Sequence, residues 1–385
     1  MPYFALPPLA LYVHIPWCVR KCPYCDFNSH ALPETMPEQS YVSSLLADLE
    51  HDAGAAQGRK LQSIFFGGGT PSLFTANSIE AVLNAADQRI GLATDAEITL
   101  EANPGTVEQQ RFADFRRAGV NRLSIGIQSL HDHQLQALGR IHSREDALRA
   151  VETARRAGFD NFNLDLMHGL PQQSLTEALT DLTQLVALGP AHISWYQLTI
   201  ERNTAFYSNP PVLPNADVLA DIEDAGEQLL RDAGYRQYEV SAYSRAGRRC
   251  RHNYNYWEFG DYLGIGAGAH GKITQADDGT IWRSHKTRLP AHYIANTPLD
   301  NHWSRIPRAD LPLEFMMNCL RLNAGVPAEY YPSRTGLELD ALTSCLNRLR
   351  DEQLLCQDPG RLAATPRGRR FLNDVLASFM EMSGS

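Results

Sequence analysis

Apolar and polar positions follow a repeating pattern along the first half of the chain. Short apolar runs predict buried strands, and each run is followed by a segment whose apolar residues recur at helical spacing. The predicted strands cover residues 11–15, 63–66, 97–101, 122–127, 161–166 and 192–198. Strands that alternate with helices pair in parallel through crossover connections, so the pattern predicts an α/β fold with a barrel-like parallel sheet.

Chemically reactive or turn-forming residues stand at the ends of all these predicted strands. They are Pro16 and Cys18, the loop from Gly67 to Thr70, Glu101, Gln128, Asp165, and Gln197 with Thr199. In folds of this kind, functional groups gather at the carboxyl ends of the strands. Packing alone does not explain such groups at successive strand ends, so the pattern predicts a ligand site at this end of the sheet.

Three of the seven cysteines follow the first predicted strand at the spacing C-x3-C-x2-C, as Cys18, Cys22 and Cys25. Thiolates suit iron–sulfur clusters, zinc or Cu(I). A closed zinc site and a fully protein-ligated cubane cluster both need four ligands, whereas this run stops at three, with Phe27 where a neighbouring cysteine would stand. The spacing therefore indicates a four-iron cluster with one iron open to a non-protein ligand, and zinc remains the alternative.

The cysteine spacing after a short strand resembles the signature of the radical S-adenosylmethionine (SAM) superfamily. The flanking residues 12–17, with sequence YVHIPW, narrow the resemblance to the oxygen-independent coproporphyrinogen oxidase-like branch. The resemblance implies a partial (βα)6, TIM-like barrel of radical SAM type. It also implies a [4Fe–4S] cluster bound by Cys18, Cys22 and Cys25, with SAM on the fourth iron.

A glycine loop after the second predicted strand, Gly67-Gly68-Gly69-Thr70-Pro71, resembles the motif that holds the amino group of SAM in this superfamily. Glycines allow close approach of the backbone to a ligand, although glycine turns are also common without one. By motif, the resemblance implies SAM contacts from Tyr12, Gly68, Gly69, Thr70, Glu101, Gln128, Arg140 and Asp165. For Arg140 or Asp165 taken singly, the alternative is a surface salt bridge.

The segment His252-Asn253-Tyr254-Asn255-Tyr256-Trp257 matches an H-N-x-x-Y-W motif. Imidazole is a common axial ligand of haem iron, and Tyr and Trp offer flat apolar faces. Together with Phe27, the motif makes the chain similar to the haem chaperone (HemW-type) group of the branch. That resemblance implies haem contacts from His252, Asn253, Tyr256 and Trp257. The alternatives are a histidine satisfied inside an aromatic cluster, and Cys250 as a thiolate ligand of the haem.

The resemblance implies a binding protein with no assigned catalytic residue. It would carry the cluster and SAM, bind haem as cargo, and transfer haem to acceptor apoproteins such as respiratory haem enzymes. The alternative is an enzyme, an oxygen-independent coproporphyrinogen III oxidase (dehydrogenase) that forms protoporphyrinogen IX. Phe27, the short stretch before the first strand and the 252–257 motif favour the chaperone. An iron donor protein, peripheral contact with a membrane, and a monomeric or homodimeric state remain open.

Composition and charge narrow these alternatives. A net charge of −9 over 385 residues disfavours a general nucleic-acid binder. No apolar run approaches the ~20 residues that span a bilayer, and the first residues lack the basic region of a secretory signal. Scattered cysteines outside the metal-type run indicate a reducing compartment, so we expect a cytoplasmic protein.

The second half of the chain loses the strand–helix repeat. We expect a radical SAM core over residues 1–272 that includes the cluster loop and the 252–257 motif. We then expect an extension or linker over 273–308 and a winged-helix-like α+β domain over 309–385. The usual DNA-binding role of winged helices is not supported, because the sequence shows no strongly basic recognition helix.

Overall fold

A computed structural model describes residues 6–296 and 302–383 of the chain. Its strands are β1 Leu9–Ile15, β2 Trp17–Cys18, β3 His30–Ala31, β4 Leu61–Gly68, β5 Leu92–Ala102, β6 Arg122–Gln128, β7 Phe162–His168, β8 His192–Gln197, β9 Arg236–Glu239, β10 Ala242–Ser244, β11 Asp261–Ile265, β12 His270–Thr274, β13 Ile281–His285, β14 His302–Arg305, β15 Val326–Pro327 and β16 Arg361–Leu362.

The helices alternate with the strands as far as β8. They are α1 Glu38–Asp52, α2 Ala76–Arg89, α3 Thr106–Arg117, α4 Asp132–Ala137, α5 Arg144–Arg156, α6 Leu175–Ala187, α7 Ala205–Ser208, α8 Ala216–Asp232, α9 Arg251–Trp257, α10 Pro290–Ala295, α11 Leu311–Cys319, α12 Tyr330–Thr335, α13 Thr343–Asp351, α14 Pro366–Arg370 and α15 Leu372–Ser383. Short 3₁₀ turns cover Ala53–Ala56, Pro71–Leu73 and Leu339–Leu342. None of the helices among the described residues is long and apolar enough to span a bilayer.

Twelve of the described strands form one sheet in the order β14-β13-β12-β11-β1-β4-β5-β6-β7-β8-β10-β9. The middle of the sheet, from β11 through β1 to β8, is parallel throughout, and antiparallel strands extend both edges. The predicted α/β fold with a parallel sheet is confirmed. Strand β11, which pairs in parallel with β1, was not predicted from the sequence. In the chain it stands between the short helix α9 and the antiparallel strand β12, so the strand–helix repeat does not mark it.

One face of the parallel sheet is apolar and the other is polar. Leu11, Phe66, Leu100 and Ile125 belong to the main core, together with apolar side chains of the flanking helices. The opposite face carries polar side chains that bond to one another. Asn163 on β7, for example, donates to Asp165 at 2.7 Å and to Ser124 on β6 at 2.8 Å. Polar groups in a protein interior need partners of this kind, so this face suits a ligand rather than a dry core.

The stretch 273–308, read from sequence as an extension or linker, contributes strands β13 and β14 and helix α10 to the large sheet and its cover. Its polar composition hid these elements because edge strands are only half buried. Residues 297–301 lie outside the described residues. The predicted boundaries of the core, linker and C-terminal domain remain predictions.

The C-terminal helices α11 to α15 surround a second apolar core. Phe315, Tyr331, Leu346 and Phe379 are among its buried members, and β15 pairs with β16 beside it. This core reaches the barrel through Phe259, whose ring meets that of Phe315 edge-on at 5.4 Å. Between α13 and α14, Leu355 and Ala364 form an isolated β-bridge.

Candidate functional site

The three cysteines of the cluster run lie on the loop after β1 and line one cavity of about 600 Å³ at the carboxyl ends of the strands. Cross-chain hydrogen bonds hold this loop in place. The ring of His14 bonds to the carbonyl of Asn28 at 2.9 Å, and the amide of Asn28 donates to the carbonyl of Ala267 at 2.9 Å. The loop is therefore fixed by β1 beneath it and by the turn after β11 beside it.

The arrangement of the cysteine thiols fits a cluster better than a single ion. Cys18, Cys22 and Cys25 are free thiols, each partly exposed to the cavity. Among the described residues, no group of three or more His, Cys, Asp and Glu side chains could hold one metal ion. A zinc site would need its ligands gathered about one ion, whereas the thiolates of a four-iron cluster each bind a different iron. Three free thiols suit a cluster with one open iron, whereas a closed zinc site would need a fourth ligand.

The glycine loop fits closely against the cluster loop. A side chain at Gly69 would bring its Cβ to 2.5 Å from the carbonyl oxygen of Trp17, and Gly68 has a φ of +115°. The amide of Thr70 donates to the same Trp17 carbonyl at 2.7 Å. These glycines are thus required by the packing of two loops in addition to any contact with a ligand.

Two carboxylates lie on the polar face of the sheet where it forms the cavity wall. Glu101 accepts the amide of Gly68 at 3.2 Å, while Asp165 is bonded by Asn163. Burial, reinforced by the charge of Asp165, raises the pKa of Glu101 to about 8. Burial also raises the pKa of Asp165, against the opposing effect of the hydrogen bond from Asn163. A cationic ligand placed between them would relieve this cost, because it favours both ionised forms.

Arg140 joins the carboxylate wall to the cysteine loop. Its guanidinium donates to the side chain of Asn103 at 2.6 Å, to the carbonyl of Gly126 at 2.9 Å and to the thiol of Cys22 at 3.6 Å. Among the described residues it forms no ion pair, so the surface salt bridge considered from sequence is absent. Gln128, with a φ of 70°, accepts the hydroxyl of Tyr196 at 2.7 Å.

The cavity brings together most of the residues predicted to contact SAM. Gly68, Gly69, Thr70, Glu101, Gln128, Arg140 and Asp165 all line it. Tyr12 does not, because its hydroxyl turns to the ring of His14 at 3.0 Å. Sequence reasoning missed Asn103, which follows β5 and links Arg140 to Thr70 through a 2.8 Å bond. An amide directly after a predicted strand end was the available signal.

The H-N-x-x-Y-W motif lies at the other end of the strands. It forms α9, which packs near the start of β4, where the ring of His252 bonds to Ser63 at 3.0 Å. At the rise of a parallel strand, Ser63 is about 17 Å from Gly68 along β4. The motif is therefore separate from the cysteine cavity.

Both ring nitrogens of His252 are engaged in the described structure. Nδ1 bonds to Ser63, and Nε2 bonds to the hydroxyl of Tyr256 at 2.7 Å. Burial, with a smaller effect of the Arg122 charge, lowers the pKa of His252 to about 3, so the ring is neutral. Trp257 faces the C-terminal core and stacks under Arg321 at 4.3 Å. This arrangement matches the alternative of a histidine whose hydrogen bonds are satisfied inside an aromatic cluster. Ligation of haem iron would require His252 to give up one of these two hydrogen bonds.

Cys250 is also buried, at the start of α9, and its thiol lies 3.6 Å from the carboxylate of Glu97. Burial raises the pKa of this thiol to about 12. A thiol held protonated in this way is a poor metal ligand, because the thiolate is the form that binds.

Comparison with known proteins follows the division seen in the structure. The family model "Radical SAM superfamily" matches residues 12–184, and "HemN C-terminal domain" matches residues 306–371. The chain is 52% identical to the heme chaperone HemW of Escherichia coli, over 97% of this chain and 99% of that protein. It is 51% identical to the heme chaperone HemW of Haemophilus influenzae, over 97% of this chain and 98% of that one.

More distant similarity extends to other named proteins. The mitochondrial radical S-adenosyl methionine domain-containing protein 1 of Bos taurus is 36% identical over 96% of this chain and 87% of its own length. The solved structure of coproporphyrinogen III oxidase (HemN) from Escherichia coli superposes with a TM-score of 0.81 at 22% identity, covering 98% of this chain and 91% of that one. At this identity the structural likeness speaks for the fold alone.

Proposed function

The chain belongs to the haem chaperone HemW family of radical SAM proteins, and from this membership we propose that it binds haem and hands it to acceptor apoproteins. The observation that carries the proposal is the similarity along nearly the whole chain to relatives of that name. Respiratory haem enzymes are the proposed acceptors, in the cytoplasm or at its membrane face. An iron donor protein as a further partner, and a monomeric or homodimeric state, belong to the same proposal.

We propose that Cys18, Cys22 and Cys25 hold a [4Fe–4S] cluster in the cavity at the carboxyl ends of the strands. A bound cluster of this type supplies one electron to SAM in the chemistry of the superfamily. The chain contributes the positions of the thiols, fixed by the His14 and Asn28 hydrogen bonds. The apolar side chains of Val19 and Phe27 also line the cavity.

The side chains around the cavity suit SAM, which carries a sulfonium, an amino group, a carboxylate and a ribose. Glu101 and Asp165 can accept from the amino group and the ribose hydroxyls. Arg140 can donate to the carboxylate while it keeps its bond to Asn103, because a guanidinium has five N–H groups. Gly68 and Gly69 line the cavity, where the lack of a side chain lets a ligand approach their backbone.

His252, Asn253, Tyr256 and Trp257 remain the proposed haem residues of the motif. If His252 is the axial ligand, its ring must exchange the bond to Ser63 or to Tyr256 for the iron. Replacing His252 by Ala would then shift the Soret band of bound haem and leave the iron content of the cluster unchanged. An unaltered Soret spectrum in that variant would assign the iron ligand to another residue.

The rival function is oxygen-independent oxidation of coproporphyrinogen III. The oxidase function is considered because the chain shares the fold of HemN. The residue that distinguishes the two functions is Phe27. Its side chain stands on the rim of the cavity and is 61% exposed, and it occupies the place of the fourth cysteine of the oxidases that the resemblance describes.

The test is to reconstitute the cluster anaerobically and to assay haem binding and coproporphyrinogen decarboxylation on the same preparation. We expect one haem bound per chain and no decarboxylation above the protein-free rate. The Phe27→Cys variant is assayed beside the wild type. It places a cysteine where the oxidases have their fourth one and leaves Cys18, Cys22 and Cys25 unchanged. Decarboxylation by the wild-type chain would reverse the assignment.

A further inference from the structure

A second and larger cavity, of about 880 Å³, opens at the amino-terminal ends of the strands, away from the cysteines. Its walls come from the first described residues, Leu6 to Leu9, from the turn before β4, and from the segment between β10 and α9. Arg251, Tyr254 and Asn255 of α9 complete it. The cavity thus lies against the helix that carries the H-N-x-x-Y-W motif, on the side away from His252.

The lining of this cavity is strongly basic, although the whole chain has a net charge of −9. Its cations are Arg59, Lys60, Arg236, Arg245, Arg249 and Arg251, against the single carboxylate of Glu258. Arg59 is paired with Asp261 at 2.7 Å and Arg251 with Asp95 at 2.9 Å. Among the described residues, the other four cations form no ion pair.

Aromatic and apolar groups share the cavity with these cations. The ring of Tyr254 lines the cavity, and the guanidinium of Arg249 lies over it at 5.2 Å. Residues Leu6 to Leu9 form an apolar wall. A ligand that fills the cavity must therefore combine an apolar body with more than one negative charge.

The backbone around the cavity leaves the binding of an anion to the side chains. Phosphates in proteins commonly bind the free amides at a helix N-terminus. Here the amide of Cys250, just before α9, donates to the hydroxyl of Tyr238 at 3.3 Å. The amide of His252 donates to the carboxylate of Glu97 at 3.2 Å. With these amides engaged, anion binding is left to side chains, which suit carboxylates equally well.

We propose that this basic cavity binds a flat tetrapyrrole dicarboxylate, the haem cargo, by pairing its two propionates with Lys60, Arg236, Arg245 and Arg249. The inference rests on the proposed function and adds the place and the chemistry of cargo binding. The volume lies within the ~300–1,000 Å³ of pockets that enclose cofactors of this size. In this arrangement the macrocycle rests against the Leu6–Leu9 wall and Tyr254.

The basic cavity and the ring of His252 lie on two sides of one short helix. This placement is an alternative to ligation of the haem iron by His252, whose two ring nitrogens keep their partners when the cargo lies in the basic cavity. It therefore predicts that recognition of the cargo depends first on its carboxylates and on the cavity cations. Binding should weaken as salt rises, because the cations are exposed.

The test is a titration of full-length protein, with its cluster reconstituted, by haemin, by metal-free protoporphyrin IX and by haemin dimethyl ester. The test variant is Arg236→Ala/Arg245→Ala, which removes two unpaired cations. The matched control is Arg367→Ala, an exposed arginine of α14 that lies outside the cavity. We expect the double variant to bind haemin and protoporphyrin IX about five- to tenfold more weakly than the wild type.

The ester separates charge from shape. Haemin dimethyl ester should bind the wild type more weakly than haemin does. Its affinity for the double variant should equal its affinity for the wild type. Wild-type and Arg367→Ala proteins should not differ with any ligand. If the double variant keeps wild-type affinity for haemin, the cavity is not the cargo site and the inference is overturned. If wild-type protein binds neither haemin nor protoporphyrin IX, the proposed function itself fails. Equal cluster content in all variants checks that each one is folded.

Discussion

At the carboxyl ends of the strands the cavity is lined by thiols and carboxylates with two arginines, Arg20 and Arg140, whereas at the amino ends six guanidinium and ammonium groups face the single carboxylate of Glu258. The acidic groups are enclosed in protein and bonded in place, as Glu101 is by the Gly68 amide. The basic groups stand at the surface, and several form no ion pair with described residues. Enclosed charges need preformed partners, while exposed charges act through attraction across water. One sheet can therefore serve a cationic cofactor and an anionic cargo at opposite ends.

A chain of buried hydrogen bonds joins the two ends. Asp165 is bonded by Asn163, Asn163 accepts from His192 at 2.7 Å, and the other nitrogen of His192 bonds to Tyr238 at 2.8 Å. Tyr238 in turn accepts the amide of Cys250 at the start of α9. Burial lowers the pKa of His192 well below its usual value, so its ring is neutral. Because every link is satisfied, the chain holds the two ends at a fixed separation.

Of the predicted effects, the loss of iron and sulfide on replacing Cys22 by Ser should be the largest. It should leave the cavity at the amino ends of the strands unchanged. Iron and sulfide should fall from about four of each per chain to a small fraction, because no described residue can replace the thiolate. Haemin affinity at the other end should stay within twofold of the wild type. Cys356→Ser, in the C-terminal module, is the control and should keep full iron content. Stoichiometric zinc in wild-type protein purified without oxygen would contradict the cluster assignment.

Replacing Gly69 by Ala tests how tightly the cysteine end is packed. Its Cβ would meet a backbone carbonyl, that of Trp17, at 2.5 Å, and a backbone atom cannot turn aside. We expect a loss of about 1–3 kcal/mol in the free energy of unfolding, measured with urea, and lower retention of the cluster. Gly54→Ala is the control, because its Cβ would meet no atom within 4 Å. Equal stability of the two variants would show that the loops are free to separate.

A smaller effect should distinguish the two ends by pH. The folded-state pKa of Glu101 is about 8, above its ordinary value of 4.5, so folding favours the protonated form. Its stabilising contribution is therefore present below pH 4.5 and is lost as pH rises through 8. Between pH 5 and 8 the wild type without SAM should therefore lose stability, measured with urea, that Glu101→Gln retains.

The matched control for Glu101→Gln is Asp217→Asn, an exposed carboxylate of α8, which should follow the wild type. Haemin binding at the basic end, to which Glu101 does not contribute, should not change between pH 7 and 8. Parallel pH profiles for wild type and Glu101→Gln would mean that Glu101 is ionised in the folded protein.

Local sequence determined the strands, the cysteine loop and most of the cofactor cavity. Apolar runs directly specify buried strands. Parallel pairing brings the carboxyl ends of these strands to one side of the sheet, so the residues that follow them lie close together. Cys18, Cys22 and Cys25 are close in the chain, so their proximity needs no long-range contact. Glu101, Gln128 and Asp165 could be assigned to one cavity for the same reason.

Only the tertiary structure decided the other end of the molecule. Leu9 on β1 pairs with Leu61 on one side and with Asp261 on the other, and this pairing brings Arg59 and Lys60 beside α9. The cations of the basic cavity come from residues almost two hundred positions apart in the chain, and no local pattern marks them as neighbours. The setting of His252 was hidden in the same way, because its partner Ser63 belongs to β4. Charge and hydrogen-bond partners at such sites depend on strand pairing, which joins segments regardless of their distance in sequence.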